Sequence, residues 1–262
     1  MIDIGANLGN KAFSNDLTDV LQRAKMANVQ AIIVTGTSAE SSVAAARLAD
    51  QHPGYLYATA GVHPHDADAY NATIEQEILQ LLQLKQVVAV GETGLDYNRN
   101  FSTPQNQRAA FEAQLALAGK CKKPLFLHER EAFDDFYAIM RANKNHYSHA
   151  IVHCFTGNKQ ALRAYLDMGL YIGITGWICD KKRGAELRDI IRYTPLDRLM
   201  IETDAPYLTP HDKSIKQALV NKHRNEPWTL SATAATLAEC LDLEADVLIE
   251  ATTHNTKMFF GI

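Results

Sequence analysis

The amino-acid sequence predicts an α/β fold, specifically a TIM (β/α)₈ barrel. Eight short apolar runs rich in β-branched residues recur along its 262 residues, and segments with helical periodicity alternate with them. The runs are continuously apolar, which is typical of strands buried on both faces of a parallel sheet. Eight such units over about 250 residues fit a barrel better than an open doubly wound sheet. We therefore predict one domain spanning residues 1–262.

The local signals along the chain agree with this alternation. Apolar residues at helical spacing between Ile74 and Leu82 predict an amphipathic helix. Ser14 and Ser38 are predicted N-caps, and Thr103–Pro104 indicates a cap followed by a first-turn proline. The predicted strands are residues 2–4, 30–34, 56–60, 87–91, 124–128, 150–154, 170–174 and 199–202.

Composition excludes several classes of protein. Hydrophobic residues make up 47% and charged residues 21%, which is a globular balance. The longest apolar runs are far shorter than the roughly 20 residues of a membrane-spanning helix, and the N-terminus lacks the features of a signal peptide. We therefore expect a cytoplasmic protein that does not enter the membrane. A net charge of −4 does not indicate a protein that coats nucleic acid, since such proteins are usually basic overall.

Motifs for other chemistries are absent. The sequence contains no nucleophile elbow, no P-loop, no zincin motif and no dinucleotide fingerprint. Its four cysteines form no C-x-x-C pair, so we expect reduced thiols rather than a zinc finger. Cys154 adjoins His153 along a predicted strand, where neighbouring side chains point to opposite faces, and we expect its thiol to point away from the site.

The informative ionisable residues follow or end predicted strands. Glu92, His128, His153 and Asp204 each stand at the carboxyl end of a different apolar run, and His63 follows another. In a barrel these ends converge on the face that carries the active site. Carboxylates and imidazoles gathered at one mouth need a cation between them, and this donor set suits Mg²⁺, Mn²⁺, Zn²⁺ or Fe²⁺. The sequence therefore predicts a divalent metal site.

Five sequence blocks resemble the TatD family of metal-dependent deoxyribonucleases. Their order and spacing cover the whole chain, and together they are far more specific than any one alone. The blocks are Gly61–His65, Gly91–Tyr97, Leu127–Ala132, His153–Gly157 and Glu202–Leu208. The resemblance implies a TIM barrel of the metal-dependent hydrolase superfamily. It also implies a cytoplasmic Mg²⁺-dependent 3′ to 5′ exonuclease acting on single-stranded DNA and RNA.

The family pattern assigns roles to individual residues. It makes four of them the metal-site residues, which are Glu92, His128, His153 and Asp204. His63 matches a further catalytic position, whereas Arg130 and Glu202 match groups that position the ligands or the substrate. Asp204 is suited to accept a proton from the attacking water. His63 is a candidate to protonate the leaving oxygen or to bind phosphate.

The first strand departs from the family pattern. Most members begin with an Asp-x-His-x-His run, whereas this chain has Gly5 and Asn7 at the two histidine positions after Asp3. A second ion would lose two nitrogen ligands and keep mostly carboxylates and water. We therefore expect one resident ion, with a second, weaker Mg²⁺ recruited with the substrate phosphate. Mn²⁺ or Zn²⁺ are expected to substitute in vitro.

Basic residues on two predicted loops suggest where the substrate binds. Lys182 and Arg183 follow the seventh predicted strand and Arg224 follows the eighth, so both groups should lie at the barrel mouth. Trp177 is a candidate to stack on a terminal base or to be buried under its loop. We expect the enzyme to act as a monomer.

Two other functions fit the same residues. A metal-dependent esterase or amidohydrolase, for example one acting on aminoacyl-tRNA, would use the same ligands to activate the same water. A binding protein that has lost catalysis along with its first-strand histidines is the third possibility, and the presence of Glu92 and Asp204 argues against it.

Overall fold

The computed structural model describes all 262 residues and contains one parallel sheet of eight strands in the order β1 to β8. The strands are β1 Ile2–Ala6, β2 Ala31–Val34, β3 Leu56–Ala60, β4 Val87–Asp96, β5 Leu125–Arg130, β6 Ala150–Val152, β7 Tyr171–Ile174 and β8 Leu199–Ile201. Each strand pairs in parallel with the next, as βα crossover connections require. The predicted TIM barrel is confirmed.

Ten α-helices accompany the strands, with short 3₁₀ turns in several connections. The helices are α1 Leu17–Met26, α2 Ala39–Gln51, α3 Ala72–Leu81, α4 Pro104–Cys121, α5 Phe133–Ala142, α6 Lys159–Asp167, α7 Ala185–Ile190, α8 Lys213–Ala218, α9 Leu230–Leu241 and α10 Ala245–Phe260. None of these helices combines the length and apolar character needed to cross a bilayer.

The predicted helix caps are partly confirmed. The Ser38 side chain accepts a hydrogen bond from the backbone N–H of Ser41 and so caps α2, and Thr103 caps α4 ahead of Pro104 in the same way. Ser14 does not cap α1, which begins at Leu17. Its hydroxyl instead donates to the carbonyl of Lys11, in the 3₁₀ turn before that helix.

Strand β4 is longer than predicted and β6 is shorter. β4 continues through Glu92 to Asp96, with an irregular register against β5 between Val90 and Thr93. β6 ends at Val152, so His153 lies just beyond it. The ionisable residues therefore do not all follow strand ends, although all of them reach the same face of the barrel.

The barrel closes at a seam between β1 and β8, where one isolated bridge joins Ala6 of β1 with Ala205, beyond the end of β8. Side chains and loop backbone complete the closure. The Asp3 carboxylate accepts hydrogen bonds from the backbone N–H (2.9 Å) and hydroxyl (2.5 Å) of Thr203, and the Asp204 N–H donates to the carbonyl of Gly5 at 2.8 Å. The first and last strands are thus joined next to the predicted site.

Two apolar cores flank the sheet. The larger lies between the strands and the surrounding helices. The smaller fills the barrel interior with Ile4, Ile33, Phe126, Ile151 and Met200, among others. Two aromatic residues at the end of α10, Phe259 and Phe260, belong to the smaller core and are almost fully buried. The end of α10 therefore covers the barrel at the face opposite the strand ends that carry the site.

Candidate metal centre

A cleft of about 1020 Å³ opens at the carboxyl ends of the strands. The strands and the loops that follow them supply its walls, as expected for the catalytic face of a barrel. Its lining includes all of the ionisable residues predicted for the site, namely His63, Glu92, His128, His153 and Asp204.

Three imidazole rings surround one carboxylate oxygen at the bottom of this cleft. Glu92 Oε1 lies 2.8 Å from His153 Nε2, 2.9 Å from His128 Nδ1 and 3.3 Å from His63 Nε2. Glu92 is 5% exposed, and although burial opposes ionisation, the neighbouring histidines hold the pKa of its carboxyl well below the usual range. The structure therefore brings together residues from four different strand regions around one buried negative charge.

The hydrogen bonds of His153 show which ring nitrogen is available to a cation. Its Nδ1 lies 3.3 Å from Glu202 Oε2, so the ring proton sits on Nδ1 and faces that carboxylate. Burial lowers the pKa of His153, but Glu92 and Glu202 raise it well above its usual value, so Nε2 also carries a proton and donates it to Glu92 at 2.8 Å. A bound cation would take the place of that Nε2 proton. Glu202 is fully buried, and its other oxygen accepts the backbone N–H of Cys154 at 2.5 Å. This is the carboxylate–histidine arrangement that orients metal ligands in many proteins.

His128 is held differently. Its Nδ1 is hydrogen-bonded to Glu92 Oε1 at 2.9 Å, whereas its buried Nε2 lies 3.5 Å from Asp96 Oδ2 and forms no hydrogen bond. Asp96 accepts the N–H groups of Asn98 and Arg99 and lies 2.7 Å from His65 Nε2. Burial by itself raises the pKa of Asp96, but the hydrogen bonds lower it more, so the pKa lies below its usual value. Asp96 therefore stays a carboxylate. Sequence reasoning missed Asp96, although it stands in one of the five family blocks.

His63 is suited to donate a hydrogen bond rather than to bind a cation. Donor atoms of His63, Glu92 and His128 all lie within 4.8 Å of one another, which is close enough to share an ion. However, His63 Nδ1 accepts the backbone N–H of His65 at 3.0 Å. Burial lowers the pKa of His63 to about 4, so the ring is neutral and its one proton must sit on Nε2. A protonated nitrogen has no lone pair for a metal.

Asp204 lies at the β8–α8 connection with a left-handed backbone, φ 54°. Its backbone is fixed by the hydrogen bond to Gly5, and its Oδ1 accepts the side-chain amide of Asn7 at 3.0 Å. Burial and the nearby charges of Glu92 and Glu202 raise the pKa of Asp204 to about 8, although His153 acts in the opposite direction. Asn7 thus orients the Asp204 side chain.

The donor set fits one divalent cation. One ring nitrogen of His128 and one of His153 lie within 2.9 Å of the Glu92 carboxylate, and Asp204 lines the same cleft. The first strand offers no side chain at Gly5, because a Cβ there would collide with the Glu202 carboxylate. The space next to β1 is therefore filled by the carboxylate that orients His153, which leaves little room for a second set of protein ligands.

Cys154 corrects one expectation. Its thiol lines the cleft instead of pointing away from it, because β6 has already ended and Cys154 adopts a left-handed backbone, φ 47°. Burial raises the pKa of this thiol well above its usual value, so it stays protonated and offers no thiolate to a metal.

The predicted substrate-binding residues separate into three groups. Arg130, Arg183 and Trp177 line the cleft. Lys182 is exposed in the same loop as Arg183 but outside the cleft lining, with its backbone N–H bound to Asp180. The Arg183 guanidinium covers one face of the Trp177 ring at 4.7 Å, and the ring is partly buried against the larger core.

Arg224 was expected at the mouth of the barrel, but it is buried and does not line the cleft. It is 5% exposed, and its guanidinium binds both oxygens of Asp16 at 2.7 Å, Glu226 Oε1 at 2.7 Å and the carbonyl of Ala12. Glu226 also binds Arg23. Both terminal nitrogens of Arg224 are therefore occupied in an internal ion-pair network, and its Nε is buried without a partner. The sequence did not indicate this, because Asp16 lies about 200 positions away along the chain.

Comparisons with known proteins agree on one family. The family model described as TatD related DNase matches residues 2–261. The 3′-5′ ssDNA/RNA exonuclease TatD of Edwardsiella piscicida is 47% identical over 262 residues, which is all of both chains. The solved TatD homologue YJJV of Escherichia coli K12 has a TM-score of 0.90 at 30% identity, covering 100% of this chain and 98% of that one. A TatD family hydrolase of Entamoeba histolytica has a TM-score of 0.85 at 26% identity, covering 99% and 97%.

Proposed function

The chain belongs to the TatD-related DNase family, and from that premise we propose that it is a metal-dependent 3′–5′ exonuclease that hydrolyses phosphodiester bonds of single-stranded DNA and RNA. The observation that carries the proposal is the buried Glu92 oxygen with imidazole nitrogens of His63, His128 and His153 within 3.3 Å of it, at the bottom of an open cleft. The names of relatives at about 45% identity over their full length support the substrate and the direction.

The cation would be held by Glu92, by Nδ1 of His128 and by Nε2 of His153, with Asp204 beside it. We propose Mg²⁺ as the ion, with Mn²⁺ or Zn²⁺ as substitutes in vitro. When bound, a divalent cation lowers the pKa of a coordinated water and neutralises charge on the phosphoryl oxygens. Glu202 and Asp96 would hold the two histidine rings in the orientation that presents these two nitrogens.

The remaining residues act directly on the water and the phosphate. Asn7 fixes the Asp204 carboxyl group, and a cation beside it would offset the burial and the charges of Glu92 and Glu202 that raise its pKa to about 8. Asp204 would then be ionised and would accept the proton of the attacking water. The neutral His63 would donate its Nε2–H to a phosphoryl oxygen. Its low pKa makes it a poor source of a proton for the leaving oxygen. Arg130 and Arg183 line the cleft and would contact neighbouring phosphates.

Degradation of an oligonucleotide labelled at its 5′ end tests the proposal. We expect a ladder that shortens from the 3′ end with Mg²⁺, no cleavage with EDTA, and loss of activity in Glu92→Ala and Asp204→Asn. The matched control is Glu186→Gln, an exposed carboxylate that lines the same cleft away from the histidines, and it should cleave normally.

Absence of shortening with every divalent metal would contradict the nuclease proposal. Turnover of ester or amide substrates under those conditions would favour the metal-dependent esterase or amidohydrolase. Binding of the oligonucleotide without any turnover would favour the binding protein. The monomeric state stays a prediction. The cytoplasmic location stays a prediction.

A further inference from the structure

A large apolar side chain, Phe101, is exposed on the catalytic face of the barrel. Phe101 is 63% exposed. It lies in the loop that joins β4 to α4, where it lines the cleft. Exposed aromatic rings that border a polar cleft are unusual enough to require an explanation, because burying such a ring elsewhere would stabilise the fold. Neither the sequence analysis nor the metal centre gives Phe101 a role.

The loop that carries Phe101 is held in place on the side of the metal centre. Asp96 binds the N–H groups of Asn98 and Arg99, and the amide of Asn100 donates to the carbonyl of Tyr97 at 2.6 Å. Ser102 donates to the carbonyl of His65 at 2.8 Å. The ring of Phe101 is therefore presented by a loop with fixed backbone, so little conformational entropy is lost when a ligand contacts it.

A row of rings connects Phe101 with the metal centre. The Phe101 ring meets His65 edge-on at 4.7 Å, His65 meets His63 at 4.2 Å, and His63 meets His128 at 4.4 Å. Each contact is T-shaped or edge-on. A flat group lying on Phe101 would therefore be separated from the Glu92 oxygen by only two imidazoles, about the reach of one nucleotide.

The charges around Phe101 indicate an aromatic group attached to an anion. The Arg99 guanidinium lies 5.9 Å from the ring centroid, and Arg130 lines the same cleft. A purely apolar ligand would gain nothing from these cations, whereas a nucleotide offers a flat base for the ring and a phosphate for the guanidinium groups. In a duplex the bases are stacked on both faces, so only an unpaired base has a face free for Phe101.

We propose that Phe101 stacks on an unpaired base next to the scissile phosphate, and so contributes to the selection of single strands. The proposal rests on the proposed nuclease function and adds a specificity-determining residue to it. Trp177 is less suited to this role, because Arg183 covers one face of its ring and the larger core buries part of it. Arg99 also lies over the Phe101 ring, but farther away at 5.9 Å, and Phe101 is not packed against the larger core.

Kinetics on two single-stranded substrates test the proposal. One is a 5′-labelled oligonucleotide, and the other is the same strand with abasic sites at its last three 3′ positions. For Phe101→Ala we expect KM on the first substrate to rise about 5- to 100-fold, the range given by loss of one stacked base, with a smaller change in kcat. On the abasic strand, wild type and Phe101→Ala should have equal KM. Phe101→Trp should restore the low KM.

Two further measurements make the result decisive. Met258 lies on α10 and is 70% exposed. Met258→Ala should behave as wild type on both substrates. The preference for single over double strands should fall in Phe101→Ala. Equal losses on the base-bearing and abasic strands, or an unchanged KM on both, would overturn the role of Phe101. If wild type itself cleaves neither strand, the proposed nuclease function is what fails.

Discussion

Two buried carboxylates stand behind the histidines that we propose as metal ligands. Glu202 is hydrogen-bonded to Nδ1 of His153, and Asp96 lies 3.5 Å from Nε2 of His128. The Glu202 contact keeps a proton on Nδ1, so Nε2 of His153 is the atom that would bind a cation. The same reasoning makes His63 a donor. One backbone hydrogen bond thus separates two chemical roles among three neighbouring imidazoles.

Glu202→Gln tests this dependence. Glutamine can still accept one hydrogen bond, but its NH₂ group faces either the Nδ1–H of His153 or the N–H of Cys154, and both are donors. We expect metal affinity to fall about 10- to 100-fold, measured by isothermal titration with Mn²⁺, without a large change in thermal stability. Glu186→Gln serves as the control. An unchanged affinity would show that His153 is oriented by other contacts.

At the residue scale, the sequence predicted which face of the barrel a side chain reaches better than it predicted which neighbours that side chain contacts. Glu92, His128, His153 and Asp204 all reach one cleft, as strand order and chain spacing indicated. Arg224 did not, because its guanidinium is bound by Glu226, two positions away, and by Asp16, which only the fold brings beside it. The orientation of a side chain depends on neighbours brought by the fold, and these are invisible to a pattern along the chain.

Strand β4 has a special role among the elements, since it carries both Glu92 and Asp96. Gly91 and Gly94 in this strand have φ of 147° and 145°, values that side-chain-bearing residues rarely adopt. A Cβ on Gly91 would collide with the carbonyl of Phe126, and one on Gly94 with the carbonyl of His128. These glycines allow β4 to lie close to β5 at the level of the metal centre.

Gly94→Ala should therefore be strongly destabilising. It adds backbone strain to a collision with β5, and we expect a loss of about 3 kcal/mol or more in the free energy of unfolding, measured by urea denaturation. The control is Gly54→Ala, where φ is 77° and nothing lies within 4 Å, and its cost should be about 1 kcal/mol. Similar losses for both variants would show that the close approach of β4 and β5 contributes little.

Strand β4 also shows why the ends of a strand are harder to predict from the sequence than the presence of the strand. Its apolar part, residues 87–90, has the composition of a buried strand, but residues 91–94 combine glycine, glutamate and threonine, which ordinarily end one. The strand continues because its polar side chains face a site that stabilises them. Functional constraints thus override local propensity at this point.

The whole barrel depends on the seam where β1 meets β8. Because the one bridge at this seam lies beyond the end of β8, the contact of Asp3 with Thr203 helps to hold together parts of the chain 200 positions apart. Asp3 is fully buried, and burial raises its pKa to about 7 against the hydrogen bonds from Thr203 and Gly5. The stability of the molecule should therefore vary with pH through this one carboxyl.

The direction of this change with pH follows from how many protons the folded and unfolded chains bind. In the unfolded chain Asp3 loses its proton near pH 3.8, whereas the folded protein retains it up to about pH 7. The free energy of unfolding should fall as pH rises through this window and level off above it. Asp3→Asn should flatten the slope, changing the difference between pH 4.5 and 8 by about 3 kcal/mol or less.

Urea denaturation in EDTA at these two pH values measures the effect. Asp204 has a pKa raised in the same direction to about 8, so Asp204→Asn in the same experiment separates its contribution from that of Asp3. A slope in Asp3→Asn equal to that of wild type would show that the seam carboxyl does not retain its proton.

At the scale of the whole molecule the fold was predictable because its strands are buried on both faces. Seven of the eight predicted strands overlap the observed ones to within two residues at each end, β4 being the exception. The seam was not predictable, since a barrel pattern does not say how its first and last strands join.

The covering of the barrel by α10 has a practical consequence. Met1 precedes β1 and binds the carbonyl of Asn28, and Phe260 ends the helix that covers the same face. Both lie opposite the cleft. A molecule tethered to a bead or a sensor chip through a short linker beyond either residue would therefore present its open mouth to the solution, and a long polymer could thread into it without meeting the support.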